Sequence, residues 1–116
     1  MARLCLAILI IALFVGGSQP IAVDLFAPPW DKIVHSLVYG GMLILARIAF
    51  PKTYLFMLFL LVVGIGVLDE VHQLYVAGRH PGLDDLLADT IGAFVAYVIL
   101  KVTSAITLND GEANNG

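Results

Sequence analysis

The sequence predicts an all-α integral membrane protein, a four-helix bundle that crosses the membrane four times with both termini in the cytoplasm (N-in, C-in). Apolar residues make up 60% of the 116 residues and charged residues only 13%, with a mean hydropathy of +0.97. A soluble domain has roughly half apolar and a quarter charged residues, so the expected solvent of this chain is lipid. The apolar residues also form four long runs, separated by proline, glycine and charged residues.

The composition also excludes some function classes. The formal net charge is −3, and no run of lysine and arginine is present. Nucleic-acid binding depends on neutralising phosphates with such residues, so we expect no nucleic-acid partner. Cys5 is the single cysteine, which excludes a disulfide framework and a cysteine-based zinc site.

The first apolar run covers residues 4–23 without a charged residue, about the length that one helix needs to cross ~30 Å of hydrocarbon. A cleaved signal peptide is the alternative, with Arg3 as its basic region and residues 16–18 as a small-residue cleavage site. We favour a retained span, because the basic region is thin and the rest of the chain is itself membrane-like.

Three further runs are each bounded by a helix breaker or by charged residues. Pro51 ends the second run, and Gly78 begins the turn that follows the third. The predicted spans cover residues 33–50, 53–68 and 84–101. Residues 1–105 therefore form the membrane domain, and residues 106–116, which lack apolar periodicity, are predicted to be a disordered cytoplasmic tail.

The basic residues set the predicted orientation, because cytoplasmic segments carry an excess of lysine and arginine. With the N-terminus in the cytoplasm, the opposite side receives seven of the nine acidic residues and all three histidines. Four of the six basic residues lie on the cytoplasmic side, namely Arg3, Arg47, Lys52 and Lys101.

Polar residues gather at the other ends of the second, third and fourth spans. Residues 53–68 form a helix of only about 24 Å, so its polar end must be drawn toward the membrane. Ionisable groups there normally face the bundle interior and pair with each other. Residues spaced four apart form one stripe on each of these helices. These stripes are Asp31, His35 and Tyr39; Asp69 and Gln73; and Asp85 and Asp89.

Small residues indicate where these helices pack closely. Ala88, Gly92 and Ala96 form a row with a spacing of four, which lets another helix approach. Gly40–Gly41 and Gly64 with Gly66 could serve the same purpose.

The sequence resembles the VanZ-like family. The motif Asp31-Lys32-x-x-His35-x-x-x-Tyr39 resembles the one that opens the second helix of that family. The family's later motifs recur in order and at similar spacing over residues 20–100: Glu70-x-x-Gln73, Gly78-Arg79, Asp85, Asp89 and Gly92. Many members carry Asn at the position of Asp89.

This resemblance implies a multi-pass protein of the bacterial cytoplasmic (inner) membrane, and hence of the cell envelope. The family's namesake is associated with low-level resistance to the glycopeptide antibiotic teicoplanin. The implied location is more definite than the implied chemistry.

The predicted polar cluster combines the stripes with the family motifs, and it lies on the extracytoplasmic face. His35 and Glu70 are its candidate general bases. Plainer interpretations remain for some members: helix capping for Asp31 and for one of Asp84 and Asp85, snorkelling for Lys32, and an internal salt bridge from Arg79 to Asp85 or Asp89. The cluster comprises Asp31, Lys32, His35, Tyr39, Glu70, Gln73, Arg79, Asp85 and Asp89.

A metal site is an alternative use of the same residues. His35, Glu70, Asp85 and Asp89 offer suitable nitrogen and oxygen ligands, but no local pair such as H-E-x-x-H is present. We therefore predict no metal and no cofactor.

Three functions are compatible with this cluster. The leading hypothesis is an accessory or resistance protein that binds a lipid-linked cell-wall precursor or an amphiphilic glycopeptide, with Lys32 and Arg79 meeting a phosphate or carboxylate. The second is an intramembrane hydrolase or transferase acting on a lipid-linked phosphate. Proton or ion transport ranks lowest, because nothing polar lines the cytoplasmic half of the bundle. Membrane lipids are partners in every case.

Overall fold

A computed structural model describes residues 1–19, 29–80 and 82–115. These residues form four helices and no strand: α1 (Ala2–Gly17), α2 (Trp30–Ala49), α3 (Leu55–Gln73) and α4 (Leu83–Asn115). Helices α2, α3 and α4 are long and apolar enough to cross a membrane, and α1 is a shorter apolar helix. The predicted all-α membrane bundle is confirmed. The described residues do not include Asp24 or the last four residues of the first predicted span, residues 20–23.

Successive helices run in opposite directions. The Arg3 Nε donates to the carbonyl oxygen of Ala49 at 3.2 Å, which places the start of α1 beside the end of α2. The Arg79 Nε donates to the carbonyl oxygen of Gly17 at 3.1 Å, so the end of α1 lies beside the connection between α3 and α4. The two chain termini therefore belong to the same end of the bundle.

The two ends carry opposite charges, and we name them accordingly. The basic end is defined by Arg3, Arg47, Lys52 and Lys101. The acidic end is defined by Asp31, Asp69, Glu70, Asp84, Asp85 and Asp89.

Helix α2 packs against the three other helices and supplies the centre of the core. Tyr39, Met42 and Leu43 on this helix are fully buried, beside Val62 of α3 and Ala93 of α4. The outward faces remain apolar and exposed, as expected for surfaces that contact lipid.

The closest helix contact is the crossing of α2 and α4. A Cβ atom added at Gly92 would overlap the carbonyl group of Ser36, and one added at Gly40 would lie 3.0 Å from the carbonyl oxygen of Gly92. The Ser36 hydroxyl donates to the carbonyl oxygen of Ala88 at 2.8 Å across the same contact. The predicted row of small residues on the fourth span therefore forms a helix-packing surface.

The other glycines divide into two groups. A Cβ atom at Gly66 would lie 3.3 Å from Oδ2 of Asp89, so this glycine also permits a close approach. At Gly41 and Gly64 such an atom would meet nothing within 4 Å. The packing role considered for all of them applies to Gly40 and Gly66 only.

The structure differs from the predicted disordered tail, since α4 continues as a helix through residues 106–115. Every residue of this segment is exposed. No proline interrupts the helix here, and α4 is already nucleated within the bundle, so each further residue adds an intrahelical hydrogen bond without a new nucleation cost.

Candidate functional site

The starts of α2 and α4 and the end of α3 bring polar side chains together at the acidic end. Two of its carboxylates, Asp69 and Asp89, are each only 1% exposed. Carboxylates are rarely buried to this extent unless they are paired. Their surroundings therefore define the candidate site.

His35 and Asp89 form a pair between α2 and α4. The His35 Nδ1 lies 2.7 Å from Oδ1 of Asp89. The imidazole also stacks on the ring of Tyr39, one turn further along α2, with ring centroids 6.4 Å apart. These contacts fix the orientation of the His35 ring, and its Nε2 has no hydrogen-bond partner among the described residues.

Asp69 connects α2 and α3. The Tyr39 hydroxyl donates to Oδ2 of Asp69 at 3.3 Å, and the Gln73 Nε2 donates to the same oxygen at 3.2 Å. Asp69 shares a predicted stripe with Gln73 but is not among the predicted cluster residues. Its spacing of four from Gln73, at the polar end of a short span, was the signal that could have included it.

Lys32 lies among three carboxylates. Its Nζ is 3.2 Å from Asp31 and 3.1 Å from Asp84, and its closest partner is Asp85. Lys32 therefore joins the start of α2 to the start of α4. This differs from the snorkelling interpretation, because the ammonium group is held by protein carboxylates.

Arg79 and Glu70 both bind backbone groups. Arg79 donates to the carbonyl oxygen of Gly17, and the internal salt bridge to Asp85 or Asp89 does not form in the described chain. Glu70 Oε2 accepts a hydrogen bond from the Gly82 amide at 3.1 Å. These two residues hold the connection between α3 and α4 in place.

Several buried carboxylate oxygens have no hydrogen-bond partner among the described residues. A buried polar atom without a partner is costly and is uncommon in folded proteins. These oxygens belong to three different helices or their ends. The atoms are Oδ1 of Asp31, Oδ1 of Asp69, Oε1 of Glu70 and Oδ2 of Asp89.

The acidic end is rich in carboxyl groups. Its carboxylates greatly outnumber the nearby cations Lys32 and Arg79. A group of opposite charge is attracted more strongly here than in water, since the screening is weaker. The described residues contain no group of three or more His, Cys, Asp or Glu side chains arranged to hold a metal ion. The alternative metal set from the sequence is thus not gathered into one centre among these residues.

Comparisons with known proteins agree with the resemblance noted in the sequence. Neither the curated proteins nor the solved structures contain a significant match to this chain. The family model described as VanZ/LLP1 matches residues 4–104, which include all four helices for most of their lengths. The chain is a membrane protein of the VanZ/LLP1 family.

Proposed function

We propose that this protein binds an amphiphile of the bacterial cell envelope by holding a positively charged group of that molecule at its acidic end. The observation that carries the proposal is the pair of buried, unpartnered oxygens, Oδ1 of Asp69 and Oδ2 of Asp89. A protonated amine would satisfy them with charge-assisted hydrogen bonds, which are stronger than neutral ones. The apolar part of the ligand would remain against the exposed faces of the helices.

The contacts of the basic residues favour an amine over a phosphate as the bound group. Lys32 is already surrounded by carboxylates, and Arg79 already donates to Gly17. An incoming phosphate would meet more negative than positive groups. A ligand recognised through Lys32 and Arg79 is therefore the weaker form of the binding hypothesis.

The family and the charge distribution support a proposed location and role. The basic end favours the cytoplasmic side of a bacterial cytoplasmic membrane, which would place the acidic end on the extracytoplasmic face. A glycopeptide such as teicoplanin and a lipid-linked cell-wall precursor are the two envelope amphiphiles that the family relationship suggests. Binding either of them could support an accessory or resistance role.

A binding experiment in lipid nanodiscs tests this proposal. The probes are a long-chain alkylamine and the alkyl phosphate of the same chain length, followed by teicoplanin and a lipid-linked precursor. We expect saturable binding of the amine, weakened at least tenfold in Asp69→Asn, because one of the two unpartnered carboxylates loses its charge.

The matched control is Asp110→Asn, which removes the same charge from the exposed part of α4 and should bind as the unaltered protein does. Equal binding of amine and phosphate would contradict the proposal. So would an Asp69→Asn variant that is folded and binds the amine unchanged.

A hydrolase or transferase acting on a lipid-linked phosphate is the second candidate, favoured by the His35–Asp89 pair. A carboxylate at Nδ1 fixes the tautomer of an imidazole, which leaves Nε2 to accept a proton from water or an alcohol. Turnover of a lipid phosphate that is lost in His35→Ala and in Glu70→Gln would support this activity. Unchanged substrate after long incubation would exclude it for that substrate.

A further inference from the structure

An apolar cavity lies between α1, α2 and α3, in the half of the bundle that contains the basic end. Its volume is about 320 Å³. This volume lies at the lower end of the range of about 300–1,000 Å³ found for small-molecule sites. The side chains that line its interior are Leu6, Ile10, Met42, Leu58, Val62 and Ile65.

Two arginines border this cavity at the basic end. Phe50, at the end of α2, and Thr53, in the turn before α3, are both part of its lining. The Arg3 guanidinium lies over the Phe50 ring, 5.1 Å from its centroid. The Arg47 Nη1 donates to the carbonyl oxygen of Thr53 at 2.8 Å. Both guanidinium groups are therefore held against residues that line the cavity.

The charges of these arginines have no acidic partner in the described chain. Arg3 and Arg47 each donate to a backbone carbonyl, and the ion pairs among the described residues involve only Lys32 and His35. A guanidinium carries five N–H donors, so most donors of each remain available. Planar, delocalised guanidinium groups bind phosphate well, often through two parallel hydrogen bonds.

We propose that the cavity is a binding site for an anionic phospholipid of the adjoining leaflet. One acyl chain fills the apolar cavity, and the headgroup phosphate binds between Arg3 and Arg47. The apolar lining and the unneutralised arginines match the two parts of such a lipid. This site is separate from the acidic end, and it does not depend on the function proposed above.

Retention of defined lipids tests the proposal. The protein is purified from vesicles of dioleoylphosphatidylglycerol mixed with an equal amount of dioleoylphosphatidylcholine, and bound lipid is measured by native mass spectrometry. The two lipids have the same chains and differ in headgroup charge. We expect one phosphatidylglycerol per chain to be retained, at least tenfold in preference to phosphatidylcholine.

Three variants separate the parts of the site. Arg3→Gln combined with Arg47→Gln should abolish the preference for phosphatidylglycerol. Ile10→Trp fills the cavity while leaving both arginines in place, and it should abolish retention of either lipid. The control is Lys101→Gln, which removes a basic residue from the same end but outside the cavity lining, and it should keep the preference.

Two results would overturn the proposal. Equal retention of the two lipids by the unaltered protein would show that the arginines do not select the headgroup. Unchanged retention in Ile10→Trp would show that bound lipid lies elsewhere on the helices, since this variant keeps the charges and blocks only the cavity.

Discussion

The two carboxylate oxygens of Asp89 have different surroundings. Asp89 is buried against Gly66, and one of its oxygens is used by His35 while the other is unpartnered. Asparagine at this position would keep a carbonyl oxygen for His35 but has no charge to offer a ligand. Replacing Asp89 with asparagine therefore separates the hydrogen bond to His35, which is kept, from the negative charge, which is lost.

This separation can be measured with two substitutions at Asp89. Asp89→Ala leaves His35 without its partner and should lower the free energy of unfolding by about 1–3 kcal/mol. Asp89→Asn should cost clearly less, because an amide oxygen can still accept from Nδ1. Unfolding in mixed micelles gives both values, and equal losses for the two variants would argue against the hydrogen bond as the stabilising contact.

Helix periodicity predicts which polar residues share one face of a helix, but not which residues meet between two helices. Spacing of four residues correctly grouped Asp69 with Gln73, because that pattern depends only on helix geometry. It could not show that Lys32, rather than Arg79, would meet Asp85, since such pairing depends on how helices rotate against each other. The rotation is a property of the packed bundle and not of any one helix.

The helices themselves were predicted well from hydropathy and breakers. Pro51 predicts the end of the second span, and α2 ends two residues before it, at Ala49. The glycines were harder to interpret, because glycine is frequent in membrane helices whether or not it lies at a contact. Gly40 and Gly41 are adjacent in sequence, yet only the first faces another helix closely.

The close crossing of α2 and α4 should make the stability of the protein sensitive to side-chain size at Gly92. Gly92→Val should cost at least about 1–3 kcal/mol, the usual range for overpacking, because its side chain would overlap the Ser36 backbone. Gly41→Val is the matched control, since nothing lies within 4 Å of a Cβ atom there. Thermal unfolding of both variants in the same detergent provides the comparison, and similar melting temperatures would refute the close contact.

The final part of α4 is expected to contribute little to the stability of the protein. Residues 106–115 are helical and exposed, so they add little buried surface to the bundle. A stop codon after residue 105 should leave the melting temperature within about 2–4 °C of the full chain, because surface changes of this kind rarely exceed ~0.5 kcal/mol. A large loss of stability would contradict this expectation, because it would mean that residues 106–115 pack against the helical bundle.

The whole molecule is electrically polar, with its basic end and its acidic end at opposite sides of the bundle. Hydropathy and charge counts predicted this arrangement, because the positions of the charges along four antiparallel spans determine the end at which each one lies. The sequence did not predict the apolar cavity or the arginines beside it. A cavity arises from imperfect packing of three helices, and no spacing rule describes that.

The separation of basic and acidic residues predicts how the whole molecule is oriented in the membrane. Reporter fusions at Gly78 and at the C-terminus should report the extracytoplasmic side and the cytoplasm, respectively, since the basic residues favour the cytoplasm. A fusion at Lys52 is the control and should match the C-terminal fusion. Cytoplasmic activity at Gly78 would overturn the outward-facing acidic end.

The contact at Gly92 has a consequence for genetics. His35 precedes Ser36 on α2, and Asp89 lies less than one turn before Gly92 on α4. Any side chain at Gly92 would push apart the same two helices that hold the His35–Asp89 pair. In a screen of random mutants, Gly92 would therefore score as an essential residue although it has no side chain. Second-site suppressors should arise on the facing surface of α2, where a smaller residue or a shifted backbone restores the spacing.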